Sequence, residues 1–109
     1  MFSYEKFNGD KVSLGKKEVI LNETITQAHL SFRTIENTKF VNVVFKNCNL
    51  LSAVFRDCEF YDCIFTGCNF EEMYFANCKL FGGKITTLLN LSNFKKTIIR
   101  DVALNMDME

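Results

Sequence analysis

The chain contains no proline and no tryptophan, has a single histidine, and carries a formal net charge of zero over its 109 residues. No stretch approaches the roughly 18 consecutive apolar residues of a membrane-spanning helix, so nothing in it reads as transmembrane. The opening MFSYEKFNGDK has neither the basic nor the apolar segment of a secretory signal. The five cysteines are Cys48, Cys58, Cys63, Cys68 and Cys78. An odd number without such a signal points to free thiols in a reducing compartment, and the expected location is cytoplasmic. Two glycosylation sequons, at Asn22 and Asn90, carry little weight without secretion. The length corresponds to one domain with a modest core.

Reactive chemistry is equally sparse. There is no glycine-rich phosphate loop, no CxxC pair, and no Cys/His cluster with zinc spacing. No metal or cofactor is expected. A catalytic Cys–His pair would need an accessible thiolate beside His29. The periodicity described next turns His29 outward and every cysteine inward, so the chain is not expected to be an enzyme.

What the chain does have is phenylalanine, 12 residues of it, arranged with a period of five. Residues 20, 25, 30, 35, 40, 45, 50, 55, 60, 65, 70, 75, 80 and 85 are all Ile, Leu or Phe, types that supply only 29 of the 109 residues. The chance of that run is on the order of one in a hundred million. Two positions before each of these centres, from residue 38 onward, the chain is small or compact nearly everywhere, and all five cysteines fall there. Neither a helix nor a single strand repeats at five. One large and one small inward residue, separated by an outward one, describe a short extended piece. The two residues that follow must turn a corner, and Asn47, Asp57, Asp62, Gly67 and Asn77 stand there. Four pieces close a square coil of 20 residues, and successive coils stack about 4.8 Å apart through backbone hydrogen bonds. A single coil cannot bury its own core, so coils must stack.

The stretches NCNL, DCEF, DCIF, GCNF and NCKL resemble the pentapeptide-repeat family, whose consensus is A(D/N)LXX, with Cys in place of Ala. The resemblance covers at least residues 36–85. It implies an all-β chain folded as a right-handed quadrilateral β-helix, here of about four coils, and it says little about function because the family hosts several activities.

Residues 1–19 read as a cap over the open end of the helix, with two short strands about an Asn-Gly turn. Residues 20–109 read as the β-helix. Period five resumes at Leu89, Phe94, Ile99 and Leu104 after one residue is lost, which places a slip near 82–86, at Gly82-Gly83. Thr87, Ser92, Thr97 and Val102 then take the compact positions. A helix over 86–109 is the alternative.

Residues 20 apart share a face. Val41, Tyr61 and Phe81 form one outward apolar ladder, and Val44 and Ile64 another around the adjacent corner. Residues 47–78 hold Asp57, Glu59, Asp62, Glu71 and Glu72 against Arg56 alone, an acidic belt balanced by basic residues elsewhere, including Lys6, Lys11, Lys16 and Lys17. Cys48 stacks on Cys68 and Cys58 on Cys78. The thiols are read as small buried side chains filling a crowded layer.

Two functional classes follow. In repeat type the chain resembles the bacterial quinolone-resistance pentapeptide proteins. That resemblance implies a non-enzymatic inhibitor or protector that imitates nucleic acid toward a topoisomerase, or, at this size, toward a phage-defence or CRISPR complex, with the acidic belt as the partner-binding surface. The alternative is a structural interaction scaffold, effector or receptor module that docks a protein partner, or forms a homodimer, through the apolar ladder. Neither class needs a membrane or direct nucleic-acid binding.

Overall fold

The computed structural model describes residues 11–12 and 18–107. Most of the expected cap at 1–19, with its hairpin, lies outside the described residues. Within them the chain winds as a right-handed quadrilateral β-helix of about four turns, with no α-helix and thirteen short strands, β1 to β13 in chain order. Face one stacks β1 (Lys11–Val12), β4 (Thr34–Glu36), β7 (Val54–Arg56), β9 (Tyr74–Ala76) and β11 (Phe94–Lys95). Faces two and three are bridged by strands that run around their shared corner. They contain β2 (Glu18–Leu21), β3 (Thr24–Thr26), β5 (Thr38–Val41), β6 (Val44–Lys46), β8 (Glu59–Thr66), β10 (Lys79–Leu89), β12 (Ile98–Arg100) and β13 (Ala103–Met106). Face four is held by single bridges that join His29 to Asn49 and Asn49 to Asn69. Every strand pairing is parallel.

The corners follow from one backbone feature. Two residues after each centre, from Asn22 to Gly82, φ is positive at all thirteen positions, and nine of these are Asn, Asp or Gly. Those types enter the left-handed region at least cost. The exceptions are Gln27, Phe32, Ser52 and Glu72. At the corners from Asn22 to Asp57, and again at Asn77, the backbone N–H bonds to the adjacent coil: Asn42 N–H donates to the Tyr61 carbonyl at 2.8 Å, and Asn47 N–H to that of Thr66 at 2.8 Å.

The centres fill the axis. Phe40, Phe45, Phe55, Phe60, Phe65 and Phe75 are all buried. Rings in one column lie parallel, with Phe40 and Phe60 at 4.9 Å and Phe45 and Phe65 at 4.4 Å between centroids. Rings in neighbouring columns meet edge to face, as Phe55 does with Phe60 at 5.2 Å. Offset and edge-on contacts of this kind suit the aromatic quadrupole and add to area burial.

The last coil departs in register. Pairing is 20 residues apart through β8 and β10, as in Phe60 with Leu80. It drops to 19 where Phe75 meets Phe94, Leu80 meets Ile99 and Ile85 meets Leu104. Gly82 and Gly83 both have positive φ there. The residue is lost between Ile85 and Leu89, where β10 runs on through the position of the usual bend and Leu89, four residues after Ile85, is the next buried centre; a 3-10 turn at Leu91–Asn93 follows on face four. One expectation is corrected by this turn. Asn93, not Ser92, points inward in the last coil, because the tight turn rotates the chain by one residue; Ser92 is exposed.

Candidate interaction surfaces and interior thiol columns

Face two carries two outward columns. The first is Leu21, Val41, Tyr61, Phe81 and Arg100; the second is Val19, Lys39, Glu59, Lys79 and Ile98. The predicted ladder therefore stands in register. The Tyr61 and Phe81 rings meet edge to face at 5.6 Å. Lys39 Nζ lies 5.1 Å from the Tyr61 centroid, and the Arg100 guanidinium 5.6 Å from that of Phe81. The edge-to-face pair is thus bracketed by cations. The Tyr61 hydroxyl donates to Glu59 Oε1 at 2.6 Å, which holds the phenol above its ordinary pKa because the bond is made to the protonated form. Val44 and Ile64 pair around the corner on face three. Leu21, 52% exposed, extends the ladder at one end. Counting by 20 finds Leu21; Arg100 is found only once the register drops to 19.

The five acidic residues do not share a face. Asp57 sits at the corner of faces one and two with Glu59 beside it on face two, and Asp62 at the corner of faces two and three. Glu71 and Glu72 occupy the corner of faces four and one. They encircle the rod, with Asp62 and Glu72 on diagonal corners. Several are tied to neighbours: Asn77 Nδ2 donates to Asp57 Oδ1 at 2.6 Å and Ser52 Oγ to Glu72 Oε1 at 3.1 Å.

All five cysteines are free thiols and buried. Each donates to the carbonyl of the centre 23 residues earlier: Cys48 to Ile25 at 3.3 Å, Cys58 to Ile35 at 3.4 Å, Cys63 to Phe40 at 3.4 Å, Cys68 to Phe45 at 3.3 Å and Cys78 to Phe55 at 3.1 Å. The compact position is thus a donor slot as well as a small one. In the last coil Asn93 Nδ2 fills the same role toward the Phe70 carbonyl at 3.5 Å and the Met73 carbonyl at 2.8 Å. Sequence reasoning read only the size requirement there. Cys63 is paired with no other thiol in its column, and burial pushes its pKa up to about 11. In the stacked pairs one thiol is eased downward, Cys48 to about 7 and Cys78 also below its usual value. The cause is the neighbouring S–H of the pair, Cys68 beside Cys48 and Cys58 beside Cys78, which faces the thiolate formed and stabilises it. Cys68 is correspondingly raised.

Two open hollows lie at the corners of the rod. One, of about 370 Å³, opens where the last coil leaves register and is lined by Cys68, Asn69, Glu71, Glu72, Thr87 and Asn93 among others. The second, of about 360 Å³, is lined by Asn37, Asp57, Cys58, Glu59, Asn77 and Lys79. Four of the five acidic residues rim these two hollows. Among the described residues no three His, Cys, Asp or Glu side chains converge as metal ligands, and no helix is long and apolar enough to cross a membrane.

Phe32 was not anticipated. It is 69% exposed and holds φ at +61° at a corner. Its place two residues after Leu30 was the available signal.

The family profile described as Pentapeptide repeats matches residues 28–67 and 53–82, in eight copies. No curated protein matches the chain.

Proposed function

We propose, from the premise that this chain belongs to the pentapeptide-repeat family, that it is a non-enzymatic binding protein that docks a protein partner through face two. Proteins of this repeat type are generally structural or interaction proteins rather than enzymes. The observation that carries the reading is the aligned ladder of Leu21, Val41, Tyr61 and Phe81, continuous over four coils and flanked by Val44 and Ile64. Contiguous outward apolar surface of this kind marks interaction sites. Lys39, Lys79 and Arg100 outnumber Glu18 and Glu59 on the same face, which favours a partner that presents apolar side chains beside carboxylates. The five free thiols fit a reducing, cytoplasmic setting.

A second reading, inhibition of a nucleic-acid-processing protein such as a topoisomerase or a phage-defence complex, draws support from the acidic residues that encircle a rod of 38 × 24 × 24 Å. Encirclement suits a groove that wraps the rod and disfavours a flat partner. One experiment separates the two. Capture from host extract is compared for the wild type, Tyr61→Glu with Phe81→Glu, and a Glu59→Lys, Asp62→Lys, Glu71→Lys, Glu72→Lys protein, each checked for its β-rich circular dichroism. Loss of the captured partner only in the first variant supports the ladder. Loss only in the second, with strong salt sensitivity in the wild type, transfers the function to the acidic belt.

A further inference from the structure

Cys48 and Cys68 occupy one interior column, 20 residues apart, and Cys58 and Cys78 another. The coils are joined beside them by Asn69 N–H to the Cys48 carbonyl and Lys79 N–H to the Cys58 carbonyl, both at 3.0 Å. The two sulfurs of a pair make the same hydrogen bond to equivalent carbonyls, so their side chains share one orientation. Their separation is therefore close to one coil spacing, about 4.8 Å. A disulfide needs its sulfurs about 2.05 Å apart and its Cβ atoms drawn in, which parallel side chains at one coil spacing do not provide. Two metal–sulfur bonds of about 2.3 Å laid end to end span about 4.6 Å. The pair spacing thus suits a bridging ion better than a covalent bond.

The surroundings and the sign of charge agree. One cysteine of each pair is among the residues around an open hollow, Cys68 at the first and Cys58 at the second. Those hollows are rimmed by Glu71 and Glu72, and by Asp57 and Glu59. Carboxylates there raise the local concentration of cations, and paired sulfur ligands select soft ones.

We propose that each stacked thiol pair, Cys48 with Cys68 and Cys58 with Cys78, is a two-coordinate site for a soft monovalent cation of the copper(I) class. Both thiols release their protons to water, two sulfur–metal bonds form, no electron moves, and the bridged unit carries one net negative charge. Cys63 takes no part, because the residues paired above and below its column are Gly83 and Val43. This site is independent of the face-two ladder, and its test does not involve the partner.

Silver(I), which is redox-inert, is the probe. The native protein is titrated, passed through a desalting column and assayed for retained silver. Ala28 already occupies the Cys48/Cys68 column and is buried there, so alanine variants are compatible with the fold, and circular dichroism checks each one. The native chain retains two silver ions. Cys48→Ala, Cys68→Ala, Cys58→Ala or Cys78→Ala each retains one, and Cys63→Ala retains two. X-ray absorption shows two sulfur neighbours per silver. Retention of five ions, of none, or of fewer by Cys63→Ala than by the wild type overturns the assignment, as does oxygen or nitrogen in the silver shell.

Discussion

Gly83 lies directly above Cys63, so near that a Cβ on Gly83 would overlap the Cys63 carbonyl oxygen. Its φ is +83°. Both the close approach and the left-handed backbone require glycine. Gly83→Ala is expected to cost about 1–3 kcal/mol or more from the backbone alone, read as a lower urea midpoint. The control is Lys84→Ala, exposed on the same strand, with a much smaller shift.

The interior and the corner differ in what they tolerate. Phe60 and Phe65 are packed on all sides by other rings. Truncating either to alanine is expected to cost about 3–5 kcal/mol through cavity formation. Cys63→Asp places a charge in the same layer and is expected to be worse than Asp62→Ala, which trims an exposed corner. Denaturant unfolding of the four variants gives the order.

Phe32 is a bulky residue in a left-handed corner where Asn stands at 22, 37, 42, 47 and 77. The left-handed backbone costs such a residue about 1–2 kcal/mol, and Asn enters that region more readily. Since the Phe32 side chain is mostly exposed, Phe32→Asn is expected to raise stability by about 1 kcal/mol. An unchanged or lower melting temperature would assign the ring a contact of its own.

Cys63 sets an alkaline limit. Its native pKa is raised by burial to about 11, from an unperturbed 9.0. The native state therefore holds a proton that the unfolded state gives up. The contribution is intact below pH 9 and is lost as pH rises toward 11. The wild type is expected to lose melting temperature relative to Cys63→Ala over that interval. A constant difference between the two proteins from pH 8 to 11 would contradict it.

Much of this architecture was legible because burial imposes a period. Centres 20 to 85 must be large and apolar to fill a shared axis, so they announce themselves by count, and the stacking of Tyr61 on Phe81 follows arithmetically. Three features were not legible in that way. The donor role of the compact slot is hidden because a thiol reads equally well as a small apolar group. The 3-10 turn at Leu91–Asn93 substitutes one local hydrogen-bond scheme for another, in which Asn90 Oδ1 accepts from Ser92 N–H and Asn93 Oδ1 accepts from Asn90 N–H; that exchange swaps Ser92 for Asn93 in the interior without disturbing the centres. The distribution of charge around three corners depends on which corner each residue reaches. A count over residues 47–78 collapses those corners into a single belt.

The claim that face two is the docking surface is tested most directly by position-specific photo-crosslinking in the host. A photoreactive phenylalanine analogue is placed at Phe81 and, separately, at Ala76 on face one, where the side chain is outward and partly exposed. The account predicts a discrete protein adduct from position 81 and none from position 76. Adduct formation at 76 with none at 81 would contradict it.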